Sequence, residues 1–245
     1  MNNEIIKEIA VELNILVWQV EKVLQLLEEG NTIPFIARYR KEATGNLDEE
    51  IIRKISDVYI YQVNLLKRKE DVIRLIDEKG LLTEELRDEI MKANKLVLVE
   101  DLYRPFKEKK KTKATEAIKN GLEPLAKKIL EFTNCDVKTL AKDYINENVK
   151  TIEDAIQGAM YIIAENISDN PKYRKWIRDY TYKNATIISK LKKNANDEKE
   201  IYKIYYDFKD IVRNIKSYRV LAINRGENEN VLSVKIDIDE VPIIN

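Results

Sequence analysis

From 48 to 79 the chain runs for about thirty residues without a glycine or a proline, and apolar side chains recur through it at helical spacing. Ile51, Ile55, Val58, Leu65, Leu66, Val72, Ile73 and Ile76, with Gln62 among them, hold one stripe. Asp48 stands where a helix cap belongs, and Gly80 follows the last residue of the pattern. A helix of that length is roughly 45 Å long at 1.5 Å per residue. One element so long leaves few architectures, because it must serve as a spine or as an antiparallel bundle partner. The rest of the chain favours the same class, since only 6 glycines and 5 prolines occur in 245 residues. We expect a mainly α fold, a multi-helix array around this spine.

Shorter helices precede it. Residues 3–13 carry Ile5, Ile6, Ile9, Ala10 and Leu13 at helical spacing, with Asn14 as a stop. Residues 17–29 repeat the pattern with Val20, Val23, Leu24 and Leu27 and end at Gly30. Thr32 caps a third helix, and Pro34 sits in its first turn, where a missing N–H costs little. Phe35, Ile36 and Tyr39 give that helix an apolar face, with Arg38, Arg40 and Lys41 between and beyond them. Three short helices in succession suggest a helix-turn-helix, a weak signal because most such runs bind no DNA.

Absences narrow the function. The chain contains no histidine, which removes every histidine-dependent triad, acid–base pair or zinc site. No two glycines are close enough to cradle a phosphate. Carboxylates lie scattered on charged helix faces, so we expect no enzyme, no cofactor and no metal. The single cysteine, Cys135, cannot form an internal disulfide and points to a reducing compartment, hence the cytoplasm. No apolar run is long enough for a membrane span, and the acidic, amphipathic start is unlike a signal peptide. Charge is balanced at 43 basic and 43 acidic residues, which argues against a globally basic nucleic-acid binder and leaves local patches.

Two such patches occur. Between Tyr103 and Lys119, seven basic residues (Arg104, Lys107, Lys109, Lys110, Lys111, Lys113, Lys119) face two acids, Glu108 and Glu116. The patch enters a helix capped by Thr112. It reads either as a solvated loop or as a phosphate-backbone contact without sequence preference. Between Lys172 and Lys193, eight basic residues, among them Lys172, Lys175, Lys190 and Lys192, face only Asp179. Tyr173, Trp176 and Tyr180 recur there at i, i+3 and i+7, which is core spacing first and a base-stacking platform second.

Further caps stand at Thr83, Asp136 and Thr151, and the helix opened by Thr151 places Ala155, Gly158 and Ala159 where another helix can approach closely. It carries Ile156, Ile162, Ile163 and Ile167 inward as well. After Asn184 the period changes. Residues 186–191 read as a strand, 194–197 as a turn, 201–208 as either helix or strand, 217–227 as a helix and 231–238 as a half-buried strand. We therefore expect a helical domain over 1–183 and a small mixed α/β segment over 184–245, with an antiparallel β element near the C-terminus. The apolar residues 241–245 lack an obvious partner.

The stretch 31–45 (NTIPFIARYRKEATG), followed by Leu47-Asp48-Glu49, resembles the N-terminal region of the bacterial transcription accessory protein Tex family. So does the block read from Asp101 (DLYRPFKEKKKTKATEAIKNGLEPLA), and more weakly 155–176, Ser189-Lys190 and 217–232 (SYRVLAINRGENENVL). The family pattern usually has glycine where Asn230 stands, and asparagine tolerates the same left-handed backbone. The resemblance implies an N-terminal piece of a longer protein, lacking an RNase H-like domain, helix-hairpin-helix repeats and a terminal OB-fold RNA-binding domain. It also implies relatives that bind nucleic acid and associate with the transcription machinery.

The expectation is a non-catalytic scaffold with auxiliary nucleic-acid contacts at Arg38, Arg40, Lys41, Arg104, Lys107, Lys109, Lys110, Lys111, Lys113, Lys172, Lys175, Lys190 and Lys192. Its partners would be RNA or DNA held weakly by the backbone, the C-terminal domains, and RNA polymerase. The alternative is a protein docking module with no nucleic-acid affinity. That alternative gains if the 172–180 helix buries its aromatic stripe and pairs its arginines with acids from 48–57.

Overall fold

A computed structural model describes residues 2–109, 111–132 and 136–244, so Lys110 and Cys135 lie outside the described residues. The chain is mainly helical, with one small antiparallel sheet, and divides into two compact units, Met1–Lys107 and Glu108–Asn245.

In the first unit, α1 (Asn3–Glu12), α2 (Val17–Glu28) and α3 (Ile33–Tyr39) are followed by the long α4 (Glu49–Asp77). Caps start them as the sequence predicts: the Thr32 side chain accepts from the Phe35 N–H, and Asp48 accepts from the Ile51 N–H. The turn after α1 passes through Asn14 at φ 52°, a left-handed conformation that asparagine tolerates. The N-terminal half of α4 completes a core in which Ile5, Ile6, Ile9, Val20, Val23, Leu24, Ile36, Ile52 and Ile55 are buried. Its C-terminal half supplies Leu65, Val72 and Ile76 to a second core, shared with Ile90 of α5 (Glu84–Lys92) and Val99 and Tyr103 of α6 (Leu96–Tyr103). The spine therefore serves two cores in succession. The predicted stripe omits Ile52, which is fully buried, while Ile51, Val58, Leu66 and Ile73 are only half-buried. Arg68 of α4 clasps Glu100 of α6 at 2.6 Å and lies over the Tyr103 ring at 5.5 Å.

The second unit begins with α7 (Lys113–Lys119), α8 (Glu123–Leu130) and α9 (Val137–Ala141), packed on α10 (Ile152–Asp169). Close approach is literal here. A Cβ on Gly158 would lie 2.3 Å from a Leu122 methyl carbon and 3.4 Å from the Ala117 Cβ. Ala155, Ala159 and Ile162 are buried with Leu122 and Leu125 in this core. Ile167, expected inside, is exposed. It sits in the last turn of α10, past the point where α7 and α8 cover the helix.

Helix α11 (Pro171–Asn184) then leads into β1 (Thr186–Leu191), β2 (Asp207–Ile211), α12 (Ser217–Asn228), β3 (Leu232–Asp237) and a short α13 (Val241–Ile244). The sheet has the order β2-β1-β3, antiparallel throughout, with Ile188 opposite Lys209 on one side and Lys235 on the other. The ambiguous stretch 201–208 resolves as a 3-10 turn (Lys203–Tyr205) running into β2. Asp197 holds that turn: its carboxylate accepts from the Ile201 and Tyr202 N–H groups and from the Tyr206 hydroxyl at 2.8 Å. Burial pushes the Tyr206 hydroxyl up, and its hydrogen bond to Asp197 adds to this, bringing it to about 12. Tyr202, Tyr205, Ile223, Val231 and Leu232 form the core beneath the sheet. Asn230 turns the chain into β3 at φ 59°, the left-handed backbone expected there.

Candidate nucleic-acid interface

The first basic surface is the end of α3 and the loop that follows. Ile36 and Ala37 face the core, so Phe35 and Tyr39, expected on the apolar face, are left exposed. A seven-residue helix can bury only one narrow side, and Ile36 takes it. The two rings stand 5.2 Å apart, and the Arg40 guanidinium lies 5.5 Å over Phe35.

Behind them the loop is locked. Gln19 of α2 is buried, and its Nε2 donates to the Thr44 carbonyl at 3.0 Å and the Gly45 carbonyl at 3.4 Å. Its Oε1 accepts from the Leu16 N–H. The Thr44 hydroxyl, also buried, donates to the Arg40 and Lys41 carbonyls. Gly45 is required for two reasons: its φ is +66°, and a Cβ would lie 2.7 Å from Gln19 Nε2 and 2.8 Å from Trp18. This scaffold presents Arg38, Arg40 and Lys41, all exposed, around an open hollow of about 380 Å³. Among the described residues, no carboxylate pairs with any of the three.

The lysine block is divided between the two units. Arg104 and Lys107 are exposed in the first unit, and Arg104 is already engaged. Lys109 opens the second unit and reaches back to α10, where its ammonium pairs with Glu165 at 3.0 Å and with Asp169 at closer range. Thr112 joins them through a 3.1 Å hydrogen bond to Glu165. Burial pulls the Lys109 ammonium down, but its hydrogen bonds to Asp169 and Glu165 outweigh this and hold it above 10.5. The residue is thus a fastening for the start of the unit.

Lys109→Met is expected to cost about 1–3 kcal/mol at neutral pH, because it strips a partner from a buried carboxylate. The pair's contribution is complete below 10.5 and is lost as pH rises past the raised value. Thermal melts of parent and variant should differ at pH 7 and converge in strongly alkaline solution. The signal the sequence offered was Glu165 and Asp169 themselves, four apart on one helix face.

Of the remaining lysines in the block, Lys111 is exposed, and Lys113 lies 4.9 Å over the Tyr161 ring. Lys190 is exposed on β1, while Lys192 donates to Asn230 at 3.2 Å. Lys172 and Lys175 are exposed on α11. No residue of α11 is buried, so the core reading of its aromatic stripe is overturned. Spacing places Tyr173, Trp176 and Tyr180 on one face, where Tyr173 and Trp176 are exposed and Tyr180 is half-buried. The acids near the start of α4 are used locally, Glu49 by Arg53 and Glu50 by Lys54.

Among the described residues, no group of three or more Asp, Glu or Cys side chains is placed to hold a metal, and no helix is long and apolar enough to cross a membrane. The architecture is that of a helical array joined to a small antiparallel sheet, with basic side chains presented from locked loops and open helix faces. A Tex-like protein N-terminal domain model matches residues 3–77 and a Tex central region-like model matches residues 133–243, so the chain belongs to the Tex family. It is 51% identical over 235 residues to "Uncharacterized protein YdcI" of Bacillus subtilis, covering 94% of this chain and 33% of that protein. It is 38% identical over 234 residues to "Transcriptional accessory protein Tex" of Neisseria gonorrhoeae, covering 95% and 31%. Against the human "S1 RNA-binding domain-containing protein 1" the identity is 31% over 250 residues, covering 98% and 25%. The chain therefore spans a third or less of the length of these relatives.

Proposed function

We propose that this chain is a non-catalytic helical scaffold that contacts the phosphate backbone of nucleic acid within a transcription accessory protein of the cytoplasm. The observation that carries the reading is the locked loop after α3. Arg38, Arg40 and Lys41 are presented by a backbone pinned through buried Gln19 and Thr44, and although Glu42 lines the same hollow, no carboxylate of the described residues forms an ion pair with them. Building so rigid a frame under exposed cations suits a polyanion bound by position and charge. Base readout is less well supported. A helix-turn-helix reads bases from the start of its recognition helix, whereas these cations lie at the end of α3 and beyond it. The names of the gonococcal and human relatives, a transcriptional accessory protein and an S1 RNA-binding protein, point the same way. RNA polymerase is the protein partner we would expect.

Fluorescence anisotropy with a labelled single-stranded RNA and a duplex DNA at about 50 mM salt tests this. The triple variant R38E/R40E/K41E should weaken binding roughly tenfold or more to both. Because all three side chains are exposed, circular dichroism should show an unchanged fold. Absence of binding by the parent at low salt would instead support the docking reading. One surface is suited to that alternative: an open hollow of about 650 Å³ in the first unit, lined by Glu12, Asp57, Tyr61, Leu96 and Val97 among others.

A further inference from the structure

The geometry points to a second contact surface, on α11, that takes the unpaired bases of a single-stranded nucleic acid by stacking. It rests on the nucleic-acid reading above and adds to it both a place and a ligand class. Tyr173 is 51% exposed and Trp176 48%, and Ile177 lies beside them. A helix with this spacing would ordinarily bury its stripe. Instead, α11 is held at its start. Asn170 caps its start, and Arg174 reaches back to the Ser168 carbonyl at 3.3 Å.

The exposed indole is also ordered, against a half-buried neighbour. Trp176 and Tyr180 lie nearly parallel, with centroids 5.4 Å apart and planes 13° from each other. Their mutual packing fixes the indole without enclosing it, so a planar ligand can lie against it.

Charge identifies the ligand. Five of the fourteen residues of α11 are basic and one, Asp179, is acidic. Lys172 precedes Trp176 by one turn, and Lys183 follows it by two, so both lie along the edge of the stripe, with Asp179 between them. Among the described residues, Lys172, Lys175 and Lys183 form no ion pair. A row of cations beside a row of aromatic faces fits a polyanion that also carries planar rings, which is a single strand: phosphates meet the lysines and bases meet the rings. A duplex offers the same phosphates but keeps its bases stacked and paired, so it can use only half of this surface.

The test is tryptophan emission and anisotropy on the whole chain, with a 12-nucleotide oligouridylate and a blunt duplex as probes. The single strand should quench the part of the emission that W176F removes, and the duplex should leave that part unchanged, whatever Trp18 beside Gly45 reports. W176F should keep most of the affinity and lose most of the quenching, because Trp18 is the only other tryptophan. W176A should weaken single-strand binding roughly tenfold while leaving duplex binding unchanged. Single-strand binding that is salt-dependent but indifferent to W176A, or equal quenching of the Trp176 part by both probes, would overturn stacking and leave the backbone reading standing. Failure of the parent to bind either probe would overturn both.

Discussion

Ile36→Ala is expected to lower the stability of the first unit by about 2–5 kcal/mol, the range for truncating a fully buried isoleucine. Ile36 is completely buried, in one cluster with Val23, Ile52 and Ile55. Seven residues are far too few for an independently stable helix, so α3 exists because this side chain and Ala37 anchor it. Against a typical domain stability of about 5–15 kcal/mol the loss is large. It should also reach the functional surface, since α3 carries Arg38 directly and leads into the Arg40–Lys41 loop. The matched control is Phe35→Ala. Its ring is partly exposed and lies against Tyr39 and Arg40, so the cost should be smaller, about 1 kcal/mol. Urea melts of both variants check the contrast. Equal, mild losses would mean that Ile36 does not anchor α3.

Gly226→Val is expected to destabilise the second unit by about 3 kcal/mol or more. A Cβ there would lie 2.6 Å from a Leu232 methyl carbon, 2.9 Å from Leu232 Cγ and 3.0 Å from a Tyr202 ring carbon. A methyl end can rotate away, but Cγ moves only if the side chain does, and both Leu232 and Tyr202 are buried. The added methyl groups must therefore separate α12 from β3. Alanine at the same position gains about 1 kcal/mol of helix propensity and should cost less. Thermal unfolding ranks them: parent, then G226A, then G226V. The hydroxyl of Tyr202 reports the same displacement, because its 2.7 Å hydrogen bond to Glu229 should lengthen.

What was legible in the sequence was local. Thr32, Asp48, Thr83, Thr112, Asp136 and Thr151 all cap the helices they were read to cap, since a cap needs only a side-chain oxygen two or three residues from an orphan N–H. Gly30, Gly80 and Gly121 take positive φ at helix ends for an equally local reason. Strand β1 was read at its observed bounds, but β2 was not recognised. Its five residues, DFKDI, carry little pattern of their own and become a strand by pairing with β1.

The candidate surfaces were less legible, because they depend on what lies across from each side chain. Periodicity states which residues of α11 share a face and is silent on whether anything covers it. Lys109 looks like its neighbours in sequence and is withdrawn from them by Asp169, sixty residues away. Gln19, which locks the loop behind Arg38 and Arg40, carried no signal beyond a polar residue near the start of a helix.

The most direct test of the central claim is the salt dependence of duplex DNA binding by the chain and by R38A/R40A/K41A. Each phosphate contact contributes about 0.9 to the slope of log K against log salt. If the loop after α3 holds three phosphates, the triple variant should flatten that slope by about 2–3. An unchanged slope, whatever the loss of affinity, would contradict the claim that these side chains meet the backbone.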